Sequence, residues 1–350
     1  MKKLILLLII LLTVGCYDYN ELTDLGIVSS MLIDYENNEY IVNLEILDTN
    51  KEVISPSYML EGRGNTFEEA LFNIYRKSTM HIYLHHMQIV VISKCIAEDK
   101  IVNLYDYFLR DPDIRKDSYF VISNNINELL DFNAKDNKSL GETLKNIIEY
   151  NRKENANFVT SLFSDMINSY LNKKTYLLGE IALKNNDIVL ENTDVFKDNK
   201  LYLPIDKLAI PLVYMLANEQ NSFLLDMQDT YEVYKYKLDK KVSNGKIRFN
   251  LCADVRLVGI QKDATKSSSD IKNIENKISN YLKTLLDNSI QYSINNDVDI
   301  YNLSNLYYIH NPKYHSDDLW KDLDYEITVK TSLSERGLIM KTFGEEKHER

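Results

Sequence analysis

Apolar and polar residues alternate in blocks along this chain, and the blocks predict its elements. After the polar stretch Tyr17-Asp18-Tyr19-Asn20-Glu21, Leu25 to Ile33 and Ile41 to Leu47 read as two strands around a turn at Tyr35-Glu36-Asn37-Asn38. Val42, Leu44 and Ile46 alternate with Asn43 and Glu45, the pattern of a half-buried hairpin strand with one wet face. A third strand is expected at Val53 to Leu60, followed by a turn at Glu61-Gly62-Arg63-Gly64. Phe67, Ala70, Leu71 and Ile74 share one face of a helix capped by Asn65 or Thr66. Met87 to Ile92 is a continuous apolar run, as in a central strand. A helix through Ile101, Leu104, Tyr105 and Phe108 and a strand at Tyr119 to Ile122 follow.

From Asn124 the period becomes 3.6. Leu140, Leu144, Ile147 and Ile148 mark one helix, and Phe158, Leu162, Met166, Ile167 and Tyr170 mark the next. Strands return at Tyr176 to Leu183, Ile188 to Leu190 and Asp194 to Phe196, before a helix over Ile205 to Leu216. Three more strands cover Phe223 to Leu225, Tyr231 to Leu238 and Ile247 to Val258, the last two joined by Ser243-Asn244-Gly245, whose Asn-Gly pair is a strong hairpin signal. Ser267-Ser-Ser-Asp270 caps a long helix carrying Ile271, Ile274, Ile278, Tyr281, Leu282, Leu285 and Ile290. A short helix near Ile300 to Ile309, a segment around Trp320 and a strand from Tyr325 to Leu333 close the pattern.

The first sixteen residues follow a different rule. Lys2 and Lys3 precede an unbroken apolar run that ends at Gly15-Cys16. As a helix, Leu4 to Val14 rises only about 16 Å, about half of the ~30 Å hydrocarbon core of a bilayer. It therefore reads as a secretion signal with a lipoprotein cleavage site, not a membrane span. Residues 1–15 form the signal peptide, Cys16 is the expected acceptor of a diacylglyceryl group, and the mature chain begins there. Two acyl chains, at about 0.8 kcal/mol per buried methylene, anchor a protein stably where one does not.

Composition and charge narrow the function. A 350-residue chain with 45% hydrophobic residues has material for two or three cored domains. Its net charge of −11, from 41 basic against 52 acidic residues, repels the phosphates of nucleic acid and of anionic lipid. Nucleic acid is excluded as a partner, and the membrane is reached through the lipid on Cys16. Cys95 and Cys252 sit in apolar strings without metal or disulfide spacing and read as buried free thiols.

Candidate chemistry is sparse. His81 and His85 are four residues apart, with His86 adjacent, but Ile82 stands where a zinc hydrolase motif places its glutamate, so a structural histidine is expected. Glu61-Gly62-Arg63-Gly64 lacks the Lys-Ser/Thr of a phosphate loop. Arg110, Asp111, Asp113 and Arg115 surround Pro112, and two readings stay open for them: a rigid, mutually paired loop, or a loop presenting Arg115 to a partner carboxylate. No nucleophile elbow is visible. Neither metal nor cofactor is implied, and no enzyme is expected.

Several stretches together carry a family resemblance. They are Gly15-Cys16-Tyr17-Asp18-Tyr19-Asn20-Glu21, Phe67-Glu68-Glu69-Ala70, Leu84-His85-His86-Met87-Gln88-Ile89-Val90-Val91-Ile92, Arg110-Asp111-Pro112-Asp113-Ile114-Arg115 and Arg336-Gly337-Leu338-Ile339. The chain resembles the Ger(x)C spore germination lipoproteins, the C subunits of nutrient germinant receptors. The resemblance implies an α+β fold, a three-domain mixed α/β ectodomain of antiparallel-rich sheets with packed helices. It also implies assembly with membrane A and B subunits at the outer face of the spore inner membrane, without catalysis. The expected domains are 16–123, an N-terminal α/β domain; 124–195, a helix pair with strands; and 196–350, an α/β domain with the long helix. The alternative function, from a different class, is a solute-binding lipoprotein that captures a nutrient directly.

Overall fold

The structure, a computed structural model, describes residues 24–47, 57–132, 134, 136–205, 207–217, 219, 221–243, 246–259, 268–310, 319–322 and 324–334. Strand β1 (Leu25–Glu36) and β2 (Glu39–Leu47) form a hairpin whose turn residues, Asn37 and Asn38, both have positive φ, 52° and 68°. Asparagine tolerates that left-handed backbone, which a tight hairpin turn demands. β3 (Ser57–Gly64) pairs antiparallel with β2 through its whole length, so Glu61-Gly62-Arg63-Gly64 is strand and not the expected turn. The glycines serve the helix that follows, α1 (Phe67–Lys77). A Cβ on Gly62 would lie 2.1 Å from the Ala70 carbonyl oxygen, and one on Gly64 2.5 Å from the Ala70 nitrogen. A bare backbone lets the helix lie directly on the strand. Thr66 caps α1 by accepting the Glu69 N–H at 3.2 Å, and Glu69 reaches back to the Asn65 N–H at 2.8 Å.

The chain continues through β4 (His81–Tyr83), β5 (Ile89–Ser93), α2 (Lys94–Asp99), α3 (Ile101–Arg110), β6 (Tyr119–Ser123), α4 (Ile126–Leu130), α5 (Leu140–Glu154), α6 (Phe163–Leu171), β7 (Tyr176–Lys184), β8 (Asp187–Lys197) and β9 (Lys200–Pro204). One nine-stranded sheet results, ordered β3-β2-β1-β5-β6-β7-β8-β9 with β4 beside the start of β1. β1, β5, β6 and β7 run parallel, and the flanking pairs are antiparallel. Parallel neighbours require crossovers, which the helices supply. They cover both faces: Val90, Ile92, Phe120 and Ile122 pack with α1, α3 and α6, while Ile89, Val91 and Val121 pack with α4 and α5.

This sheet runs across the expected edge at residue 123. β7 and β8, placed by sequence in a separate middle domain, and β9, placed in the C-terminal one, join the sheet begun by β1, and the helix pair before β7 packs on its faces. Phe158, expected on a helix with Met166, lies before α6 and is buried with the α4–α5 cluster. Ile188 to Leu190 and Asp194 to Phe196, read as two strands, are one.

A second sheet follows α7 (Ile210–Leu216). It comprises β10 (Phe223–Asp226), β11 (Thr230–Ser243), β12 (Lys246–Gly259) and β13 (Asp324–Leu333), in that order, with β12 and β13 parallel. Ser243 faces Lys246 across a two-residue connection, Asn244-Gly245, which lies outside the described residues. The long helix α8 (Ser268–Asn295) packs Ile278, Leu282, Leu286 and Ile290 into the core under this sheet, and α9 (Leu303–His310) adds Leu303. The fold is mixed α/β with two sheets. The two parts touch through Arg152, which donates to Glu219 Oε2 from Nε at 2.9 Å and from Nη2 at 2.6 Å, and through the Thr175 hydroxyl, which donates to the Asp299 carbonyl at 2.9 Å. Among the described residues, no helix is long and apolar enough to cross a membrane.

Candidate functional site

Cys16, the expected lipid acceptor, lies outside the described residues. The Arg110–Arg115 block lies where α3 ends and turns toward β6. Asp111 Oδ1 accepts the Asp113 N–H at 2.8 Å, a local turn that Pro112 pre-shapes, and Ile114 is buried beneath it. Lys116 crosses back to donate to the Phe108 carbonyl and, at 3.2 Å, to the Asp111 carbonyl. Those carbonyls are the unpaired end of α3, where an ammonium is favoured.

The charged side chains of the block pair outward, not with one another. Arg110 donates to Asp106 one helical turn back at 2.8 Å, and Arg115 donates to Asp117 at 2.7 Å. Asp113 Oδ1 stands 3.5 Å from His85 Nδ1. This contact joins two sequence blocks 28 positions apart: His85 follows β4 in a single 3-10 turn, Leu84–His86, with its ring stacked on Tyr83 at 4.9 Å. His81 lies in β4, not on a helix, so the four-residue spacing does not bring it and His85 onto one helical face. Among the described residues, no group of three or more histidine, cysteine or acidic side chains is placed to hold a metal.

Two buried polar clusters were not singled out by sequence. Glu45 is only 2% exposed, although alternation put it on a wet face; Asn43 beside it is 3% exposed. Helix α5 covers that face. Glu45 accepts from the Ser30 hydroxyl at 2.8 Å, the Ser57 hydroxyl at 2.7 Å, and the Leu140 and Gly141 N–H groups at 2.6 and 2.9 Å. A carboxylate thus sits on the first-turn donors of a helix, where the helix dipole favours it. Ser139 caps the same helix and shares a 2.7 Å hydrogen bond with Ser29.

The second cluster lies at a bulge in β7. Glu180, at the bulge, and Asp194, in register with Leu178 two residues before it, are neighbours on β7 and β8 and only 3% and 4% exposed. Lys94, one residue beyond β5, reaches Glu180 at 3.2 Å, and Asn192 donates to its other oxygen at 3.1 Å. Burial, with the Glu180 charge beside it, pushes the Asp194 carboxyl up to about 7. Burial works to raise Glu180 too, but hydrogen bonds from Asn192 and Asp194 together with Lys94 outweigh it and hold Glu180 below its usual value. Asp194 Oδ2 is buried without a hydrogen-bond partner. The available signal was a lone acid in each of two apolar runs, Leu178-Gly-Glu-Ile181 and Asp194-Val-Phe196.

Cys95 and Cys252, expected to be buried, are free and exposed. Cys252 falls on the outward phase of β12, whose burial alternates residue by residue.

Comparison with known proteins gives the kinship. Residues 18–183 match the family model described as the spore germination protein N-terminal domain, and residues 191–337 match the spore germination B3/GerAC-like C-terminal model. The chain belongs to the Ger(x)C family of spore germination proteins. Within the family it is 29% identical over 138 residues to spore germination protein KC of Bacillus subtilis (strain 168), covering 35% of this chain. That match spans about a third, 34%, of protein KC's length. Spore germination protein A3 of the same organism is 20% identical over 271 residues, 70% of each chain. The crystal structure of the GerBC protein superposes with a TM-score of 0.55 over 87% of this chain and 96% of that one, at 16% identity, and so shares the fold. The Ger(x)C assignment places the Arg110–Arg115 block and its His85 contact within the N-terminal family domain.

Proposed function

We propose that this protein is a lipid-anchored, non-catalytic subunit of a spore nutrient germinant receptor. A diacylglyceryl group on Cys16 holds it at the outer face of the spore inner membrane, where it assembles or signals with the membrane A and B subunits. The observation that carries the reading is the pair of germination-family matches, which between them run from residue 18 to residue 337. The signal sequence ending at Gly15-Cys16 supports the anchor. Physically, the role is one of position. Confining a subunit and its partners to one membrane raises their effective concentration, so modest contacts hold the complex together. The exposed ion pairs of the Arg110–Arg115 block suit such contacts, since their charges are available without desolvating a core.

Cys16→Ala removes the acceptor while leaving both folded parts intact. The variant is expected to leave the spore membrane fraction, to lose co-purification with the A and B subunits, and to slow nutrient-triggered germination. A Cys16→Ala protein that stays membrane-bound and fully supports germination refutes the anchor. Wild-type protein that never co-purifies with membrane subunits refutes the assembly role.

A further inference from the structure

One end of the nine-stranded sheet gathers features that the receptor role leaves unused. β1 begins there, with Leu25 paired to His81. β5, β6 and β7 run in the same direction as β1 and start part-way along it, because Ser30 faces Ile89, Ile89 faces Tyr119, and Val121 faces Gly179 in parallel register. Each crossover must therefore return to this end before its strand starts. The returns are basic: α1 brings Arg76 and Lys77 in its last turn, α3 brings Arg110, and Arg115 and Lys116 follow before β6. The segment after α1 lies against β1, since a Cβ on Gly26 would meet Met80 at 3.6 Å.

Of the acids at this end, Asp106 pairs with Arg110, Asp117 with Arg115, and Asp113 lies 3.5 Å from His85, while Asp24 just before β1 and Asp165 at the start of α6 are exposed. Among the described residues no carboxylate pairs with Arg76 or Lys77; Lys77 donates to the Glu61 main-chain carbonyl at 3.3 Å, and Lys116 bonds the carbonyls of Phe108 and Asp111. Arg76, Lys77, His81 and His86 are exposed. The opposite end carries Asp34, Glu36 and Glu39 around the β1–β2 turn, with Lys100 lying over the Tyr35 ring and Arg63, in register with Ile41, as cations beside them.

The chain outside the described residues supplies the remaining constraint. Nine peptide steps separate Cys16 from Leu25, a reach of at most about 32 Å even when fully extended. β1 itself is about 36 Å long, so the Glu36 end lies farther from Leu25 than the tether can span. We propose that the basic end, with Arg76, Lys77, His81, His86 and Lys116, faces the phospholipid headgroups of the membrane that holds the lipid on Cys16. The proposal rests on the anchored reading above. An acidic body is then oriented by its own polarity: anionic headgroups attract the near end within a Debye length and repel the far one.

The test uses the full acylated chain with Cys95→Ser and Cys252→Ser, carrying a single fluorophore through Thr79→Cys at the near end or Glu36→Cys at the far end. It is reconstituted in liposomes of phosphatidylglycerol and phosphatidylcholine that contain a headgroup-bound quencher. Quenching is expected to be several-fold greater at position 79 than at position 36, and Arg76→Glu with Lys77→Glu should shrink that excess while the protein stays bound. Equal quenching, as for a chain lying flat, or greater quenching at position 36 overturns the proposal, and an excess indifferent to the charge reversal overturns its electrostatic basis. Position 79 left unquenched in liposomes but shielded in native spore membranes assigns this end to a protein partner instead. A chain that fails to float with the liposomes at all refutes the anchor itself, and is distinguishable because no label is then quenched.

Discussion

The two sheets of this protein treat their second faces in opposite ways. The central strands of the large sheet, β5 and β6, are buried at every position, because crossover helices cover both sides. β12, in the small sheet, alternates buried with exposed or half-exposed positions along most of its length, with Arg248, Cys252 and Arg256 pointing outward. The difference teaches where a polar side chain matters. Polar residues buried in the large sheet draw their partners from within the protein, as Glu45 and Glu180 do, while Asp194 keeps one oxygen without any. On the open face of the small sheet, Arg248 and Glu326 pair in water where little depends on them.

Substitutions can break this contrast. The largest effect is expected for Glu45→Ala, which strands two hydroxyls and two helix N-terminal donors inside the core. A loss of about 3–5 kcal/mol is expected in denaturant unfolding, and a loss under 1 kcal/mol would mean α5 does not depend on that carboxylate. Next comes Asp194→Asn. The Asp194 carboxyl is raised above its unfolded value, so the folded state keeps a proton that the unfolded chain releases. Its contribution makes stability fall as pH rises from about 4 to about 7 and level off above, by an amount on the order of a few kcal/mol. The asparagine variant should flatten that part of the stability profile between pH 4 and 8, and an unchanged slope would place the proton elsewhere. The smallest effect is expected for Arg248→Ala on the open face, within about 0.5 kcal/mol of wild type. A cost comparable to that of Glu45→Ala would mean the outward face is covered in the working protein.

Much of the fold was legible. Apolar runs, the Asn37-Asn38 turn and the cap at Thr66 are local, and they place most elements within a few residues. The candidate site was legible in part: the Arg110–Arg115 block stands out as charge packed around a proline, yet its partners Asp106, Asp117 and His85 lie outside it. The misreadings share one cause. Gly62 and Gly64 read as a turn because the reason for them is a helix pressed onto their strand, and Glu45 read as solvent-facing because the helix that covers it arrives 95 positions later.

The sequence by itself determined the period of each segment, the acidic charge and the likeness to germination proteins, since each is a property of neighbouring residues or of composition. Tertiary structure alone decided which acids are buried, that the first sheet runs on through β7, β8 and β9, past both expected domain edges, and that the basic crossovers return to the end where β1 begins. Those outcomes depend on which distant surfaces exclude water from one another, and no local pattern encodes that.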